Sequence, residues 1–279
     1  MPASFRLIGN EPPDSPVVLS VPHAGRDYPL ALRAALRTPF ASLTALEDRY
    51  VDAIALAARG RETLLLQDLP RAWIDLNRAE HERDPLLDDG APGSNLTAKV
   101  RAGLGLVPRR TTLAGDLWRR RLCADEVEAR IVSDHRPYHD TLSALLDSAR
   151  ARFGTAVLLD LHSMPPIAGG RARVVIGDRF GRAAAGRFVT RVEAEVAAAG
   201  IPYALNTPYA GGHILERHAR PRDGVHAIQL EVDRSLYLDD RLDSPGPGLD
   251  LVTRLVRAVI DALADEAMVS PGPLALAAE

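Results

Sequence analysis

Short apolar runs that stop abruptly at polar residues and at Pro or Gly dominate the chain. Thr155-Ala156-Val157-Leu158-Leu159 leads into Asp160, His162 and Ser163 and is closed by Pro165-Pro166. A continuous apolar run of this length reads as a strand covered on both faces. Pro16–Val21 repeats the pattern and ends at Pro22-His23-Ala24-Gly25. The same reading predicts strands over Glu62–Leu69, Ala72–Arg78, Arg173–Asp178, Ile201–Leu205 and Val225–Arg234. Helical patterns separate them. One spans Ala45–Ala58, where Thr44 followed by Glu47 forms a capping-box pattern. Others run from Gly115 or Asp116 to about Ser133, from Pro137 to Phe153 with Gly154 as the stop, from Arg182 to Ala199, and from Leu249 to Met268. In the helix over Arg182–Ala199, Phe188, Val192 and Val196 make a core stripe. Strands alternating with helices predict an α/β fold, with a mixed, mostly parallel sheet and helices on both faces.

Between Ala79 and Arg110 no period is visible. Asp-Pro, Asp-Asp-Gly and Pro-Gly-Ser-Asn punctuate this stretch, which predicts a loop roofing the site, with a short helix near Asn95–Ala102. The last residues, 270–279, are Pro-, Gly- and Ala-containing and read as a loosely held tail. At 279 residues and 46% hydrophobic content the chain can bury one large core, so a single domain over 1–279 is expected. A net charge of −3 with both signs intermixed argues against nucleic-acid and anionic-membrane partners. The lone Cys123 excludes an internal disulfide and a cysteine-based zinc site. No signal-peptide core opens the chain and no run approaches a span of about 20 apolar residues, which predicts a cytoplasmic protein.

Polar side chains at the C-terminal edge of such a sheet sit where α/β proteins bind ligands. His23 or His162 alone reads as an ordinary strand-end histidine; two at equivalent exits point to a shared site. Glu47, Asp48 and Asp52 offer an anionic partner. Their bland reading is that acidic residues favour a helix N-terminus. Arg78, at the end of Asp-Leu-Asn-Arg, is suited to grip a carboxylate, because its planar donors pair bidentately. Glu231, set among apolar residues, has the surroundings that raise a carboxylate's pKa and suit it to proton transfer. Its alternative is an ion pair with Arg234. The Gly211-Gly212 pair permits a close backbone approach or an unusual turn. His135 and His139, four apart, can face one way, with His139 read as structural or supporting. His213 and His218 lie in the following loop. Two histidines with one carboxylate, a separate glutamate and an arginine add up to a metal-assisted amide hydrolase.

The motifs Val-Pro-His-Ala-Gly, Glu-Asp-Arg-Tyr-Val-Asp, Asp-Leu-Asn-Arg, Asp-Leu-His-Ser-Met-Pro, Pro-Tyr-x-Gly-Gly-His and Gln-Leu-Glu-Val-Asp-Arg-Ser-Leu-Tyr, in this order from about Pro16 to Asp239, resemble the N-formylglutamate amidohydrolases. The resemblance implies a zinc carboxypeptidase-like fold. It also implies a zinc enzyme splitting N-formyl-L-glutamate into formate and L-glutamate, the last step of one route of histidine breakdown. Carried over residue by residue, it implies His23 and His162 as zinc ligands and Asp48 as the acidic ligand, with Glu47 and Asp52 as alternatives. The carboxypeptidase glutamate three residues after the first histidine is replaced by Arg26. Glu231 matches the proton shuttle and Arg78 the substrate-gripping arginine; Arg217, Gly211 and Gly212 are further candidates for substrate contact. A deacylase of another N-acyl amino acid, a small carboxypeptidase and a non-catalytic ligand-binding protein on the same fold are the alternative readings.

Overall fold

The structure, a computed structural model, describes residues 3–94, 96–170 and 172–269. The first residue of the anticipated 95–102 helix and the whole 270–279 tail therefore lie outside the described residues. In chain order the strands are β1 (Phe5–Ile8), β2 (Val17–Val21), β3 (Thr63–Gln67), β4 (Arg110–Thr111), β5 (Gly115–Asp116), β6 (Ala156–Met164), β7 (Val174–Gly177), β8 (Tyr203–Leu205) and β9 (Val225–Asp233). The α-helices are α1 (Leu30–Ala35), α2 (Val51–Ala58), α3 (Ala98–Arg101), α4 (Ala124–Arg130), α5 (Arg136–Phe153), α6 (Gly186–Ala198), α7 (His213–His218) and α8 (Leu249–Met268).

Seven strands form one sheet in the order β1-β3-β2-β6-β9-β7-β8, and β4 and β5 make a separate small hairpin. Strands β3, β2, β6 and β9 run parallel, and β1 and the β7–β8 pair are turned against them. The anticipated mixed, mostly parallel sheet is therefore present. Every residue of β2, β3, β6 and β9 is buried, which is why β2, β3 and the first half of β6 are apolar with little alternation.

The two faces of the sheet are nevertheless distinct. Val157, Leu159 and Leu161 of β6 join Ile228 and Leu230 of β9 in a core closed by α2, α6 and α8; Ile54, Phe188, Val192, Val196 and Val256 belong to it. Ala156, Leu158, Val225 and Ala227 face the opposite core, closed by α1, α4 and α5 through Leu32, Val127, Leu142 and Leu145. On this second face the side-chain period of 2 continues past Leu158 to Asp160 and His162, and past Ala227 to Gln229 and Glu231. The strands change from apolar to polar as they leave the sheet's interior at its C-terminal edge. Among the described residues no helix is long and apolar enough to cross a membrane.

Four expectations from the sequence need correction. The helix over Ala45–Ala58 is two pieces, a 3₁₀ segment Phe40–Leu46 and α2, separated where Tyr50 takes φ 60. Asp48 lies in that break and does not share a helical face with Asp52. Ala72–Arg78 is a set of turns, not a strand, and Asp75 N–H donates to the Leu106 carbonyl at 2.7 Å. The helix expected from Gly115 begins at Ala124, where Glu126 accepts from the Cys123 backbone N–H at 2.9 Å. Finally, Pro137 does not open a new helix. Arg130 passes through a π-helical turn, Ile131–His135, straight into α5. That wider turn accommodates a proline inside a continuous helical run.

Candidate metal centre

The exit of β2 carries His23, the exit of β6 carries His162, and the break before α2 brings Asp48 between them. The backbone fixes part of this, since Asp48 N–H donates to the His23 carbonyl at 2.9 Å. The Asp48 carboxylate oxygen Oδ2 stands 3.1 Å from His162 Nδ1 and 3.6 Å from His23 Nδ1. The two rings meet edge to face with centroids 4.9 Å apart. All three residues are buried. His23, Asp48 and His162 thus offer one ligand atom each within 4.8 Å of one another.

The remaining atoms of these residues are engaged in ways that aim the inner ones. His23 Nε2 is 2.8 Å from Asp75 Oδ1, and His162 Nε2 is 2.8 Å from Asp160 Oδ2. Asp160 is itself held by the Ser20 hydroxyl at 2.7 Å. Asp48 keeps its other oxygen occupied by Arg234 at 3.2 Å and Ser163 at 3.4 Å. A histidine whose outer nitrogen is tied to a carboxylate and whose inner nitrogen converges on others is the arrangement found at metal sites. His23 Nδ1 is buried and has no hydrogen-bond partner. An orphaned ring nitrogen beside an oxygen and a second ring nitrogen fits a divalent ion bound by two histidines and one carboxylate.

The charges agree. Burial alone would raise the Asp48 carboxyl; the hydrogen bond from His162 and the nearby His162 and His23 rings hold it well below the usual carboxylate range. Burial alone would lower the His162 imidazole; the Asp160 carboxylate, then Asp48, hold it well above the usual histidine range. Asp75 is kept low against burial by Arg71, Arg78 and His23.

Glu231 is the register partner of His162 across β6 and β9. Gln229 Nε2 donates to its Oε1 at 2.8 Å. Burial pushes its carboxyl up to about 7, against the lowering charge of His162. The alternative of an ion pair with Arg234 is not the one adopted, because that guanidinium is spent on Ser163 and Asp48.

The other acidic candidates face elsewhere. Glu47 binds the Tyr28 hydroxyl and Arg49, and Asp52 pairs with Arg26 at 2.5 Å. Arg78 is 7% exposed; its Nε donates to the Leu104 carbonyl at 2.9 Å and its Nη1 to the Asn77 carbonyl at 2.6 Å. Arg217 pairs with Asp140 at 3.3 Å on the outer side of α7. Gly212 does make a close approach, but to a side chain of the protein: a Cβ there would lie 2.4 Å from Asn77 Oδ1. Gly211 takes φ 103.

Several residues at this site were not singled out from the sequence. Asp160 precedes His162 by two on one strand face, so the strand period could have found it. Asp75 sits inside Asp-Leu-Asn-Arg, yet nothing local says that its partner is His23. Arg71 donates to Asp75 at 2.8 Å, and the charges of Asp75, Asp48 and Glu231 raise its pKa against burial. The Lys99 ammonium of α3 is lowered, first by desolvation and then by the Arg78 and Arg71 charges. Tyr209 is raised by burial and by Glu231.

Residues 15–238 match the family model described as N-formylglutamate amidohydrolase. An N-formylglutamate deformylase of Pseudomonas aeruginosa is 29% identical over 234 residues, covering 81% of this chain and 83% of that protein. An N-formylglutamate deformylase of Pseudomonas putida is 27% identical over 259 residues, covering 88% and 92%. A crystal structure of N-formylglutamate amidohydrolase from Ralstonia eutropha JMP134 superposes with a TM-score of 0.85 at 32% identity, covering 94% of this chain and 98% of that one.

Proposed function

This chain belongs to the N-formylglutamate amidohydrolase family, and from that premise we propose that it hydrolyses N-formyl-L-glutamate to formate and L-glutamate with the help of one divalent ion, zinc. The observation that carries this reading is the convergence of His23 Nδ1, His162 Nδ1 and Asp48 Oδ2 beside Glu231. The reaction would stand at the end of a histidine-breakdown route.

His23, Asp48 and His162 are the residues that would hold the ion. When bound, such an ion polarises a carbonyl and lowers the pKa of a water toward about 7. Asp75 and Asp160 fix the tautomers of the two histidines, so that Nδ1 of each is directed inward. Glu231 takes a proton from the attacking water and delivers it to the departing amine nitrogen as the formyl C–N bond breaks. Burial favours this shuttle, because a carboxyl near 7 exchanges its proton readily at neutral pH. Arg71, half-buried beside Asp75 and within the field of Glu231 and Asp48, supplies positive charge to the oxygen that becomes negative during attack. A dianionic amino acid needs more than one cation, and Arg78 and Lys99, the latter lowered by burial and then by the Arg78 charge, are the residues assigned to the two substrate carboxylates. Gln229 orients Glu231.

The test is formate release from N-formyl-L-glutamate by purified protein, with and without a chelator and re-added zinc. Chelator-sensitive release restored by zinc is the expected result. Bound zinc with release only from N-acetyl- or N-succinyl-glutamate would move the substrate to another N-acyl amino acid. No turnover of any N-acyl glutamate by zinc-loaded protein would reject the assignment.

A further inference from the structure

A second group of histidines grips the same turn that carries Asp75 and Arg78, through different atoms. His135 Nε2 donates to the Arg78 carbonyl at 2.8 Å, and His139 Nε2 donates to the Leu76 carbonyl at 3.0 Å. His213, the first residue of α7, packs beside both. Ring centroids are 4.4 Å apart for His135–His139, 5.2 Å for His139–His213 and 5.9 Å for His135–His213. We infer that His135, His139 and His213 form a second site for a borderline transition-metal ion such as Zn²⁺, separate from His23, Asp48 and His162.

Hydrogen-bond bookkeeping carries this inference. A neutral imidazole has one N–H and one lone pair. The Arg78 carbonyl takes the N–H of His135, so Nδ1 is left as a lone pair. It has no hydrogen-bond partner although the residue is fully buried. The Leu76 carbonyl takes the N–H of His139 and leaves its Nδ1 as an acceptor. His218 Nε2 donates to that atom at 2.8 Å, and His218 Nδ1 faces the Ser143 hydroxyl at 3.2 Å. His213 has a hydrogen-bond partner on neither ring nitrogen. One ligand atom from each of His135, His139 and His213 lies within 4.8 Å of the others. Buried nitrogens without partners are rare in folded proteins and call for an unseen water or ion.

The chemistry of the group narrows the ligand. An outer nitrogen tied to a backbone carbonyl with the other lone pair left free is what metal-bound histidines show; His135 has this arrangement in full, and His139 has the carbonyl tie. An all-imidazole donor set suits zinc, copper or nickel and is poor for magnesium or calcium. Burial pushes the imidazoles of His135 and His139 down and that of His213 to about 4, so at neutral pH all three are unprotonated and able to donate electron pairs. The nearest carboxylate, Glu80, is 3.9 Å from His135 Nδ1, but Arg136 holds both its oxygens at 3.0 and 2.8 Å. Coordination would cost His139 its bond from His218 and would fasten α7 to α5.

The experiment is a zinc titration of chelator-stripped protein against a chromophoric competitor, with metal content by emission spectrometry. Wild type is expected to take two ions per chain. H213A and H135Q should each take one, and the H23A/H162A double variant should also keep one, which disappears when H213A is added. Cobalt substituted into H23A/H162A should give a visible absorption band that H213A abolishes. Far-UV circular dichroism of the stripped proteins checks folding. If one histidine variant does not fold, the other is decisive, because His213 is only partly buried and Gln at 135 retains a donor for the Arg78 carbonyl. One ion in wild type and none in H23A/H162A would overturn the second site and leave the first untouched. Equal stoichiometry in wild type, H213A and H135Q would also overturn it.

Discussion

His162 and Glu231 are register partners on two neighbouring parallel strands. Strands β6 and β9 pair over nine consecutive positions, from Ala156↔Val225 to Met164↔Asp233. Adjacent strands lie about 4.8 Å apart, so the histidine and the glutamate are set side by side by the sheet itself. Neither depends on a loop for its position, so the sheet fixes their spacing.

Glu231→Gln should therefore leave the metal centre intact and remove the proton shuttle. Turnover is expected to fall about 10²- to 10⁴-fold, with metal content per chain unchanged. Formate release and emission spectrometry on the same preparation check both halves. A rate within about threefold of wild type would remove Glu231 from the chemistry.

The pH profile should show the same group. Glu231 accepts a proton only when ionised, and burial pushes its carboxyl up to about 7. Below that value kcat/KM should fall about tenfold per pH unit, and above it should level off. Steady-state rates across the acid range measure this limb, which should be absent from the residual activity of Glu231→Gln. A wild-type profile flat through neutrality would contradict the assignment.

Asp75→Asn and Asp160→Asn should each weaken metal binding about 10- to 100-fold by loosening a histidine. The two differ in stability. Asp75 is fully buried and also accepts from Arg71 at 2.8 Å and from the Asn77 backbone at 2.9 Å. Its neutralisation leaves the Arg71 charge without that counter-ion, at a cost of about 3 kcal/mol. Urea midpoints of the stripped variants should thus fall further for Asp75→Asn than for Asp160→Asn.

Gly212→Ala tests a backbone approach. The new methyl would meet Asn77 Oδ1 at 2.4 Å. Asn77 accepts from Ile214 N–H at 2.9 Å and donates to Gln229 at 3.2 Å, and Gln229 in turn donates to Glu231. The expected result is a loss of about 1–3 kcal/mol together with a lower turnover. Gly186→Ala is the control: no atom lies within 4 Å of its added Cβ, and stability should hold or rise by up to about 1 kcal/mol. Thermal unfolding separates the two.

His226 should make stability fall in acid. It packs on Phe188 at 4.5 Å and takes the Ala185 N–H at 3.3 Å. Burial pushes its imidazole down to about 4. The unfolded chain binds this proton near about 6.5 and the folded chain does not. Between those values the unfolded state holds more protons, so stability rises with pH and is lost as pH falls through the window. His226→Gln should flatten the difference between urea midpoints measured at neutral pH and in mild acid.

The sequence by itself located six of the seven strands of the sheet, all but β1. Strands covered on both faces must be apolar throughout, and that continuity locates β2, β3, β6 and β9 without knowledge of their neighbours. It also put His23, His162 and Glu231 at or near strand exits, because a run of buried side chains tolerates charge only where it ends. The tertiary structure decided which of these meet, and through what. Asp48 joins His162 across 114 positions and Asp75 joins His23 across 52. Such pairings follow from strand order and from the left-handed break at Tyr50, neither of which has a local period. For the same reason the turns over Ala72–Arg78 were legible only as an apolar stretch. Their backbone is held by Leu106 and by two histidines of the helical run, contacts that no window of neighbouring residues contains.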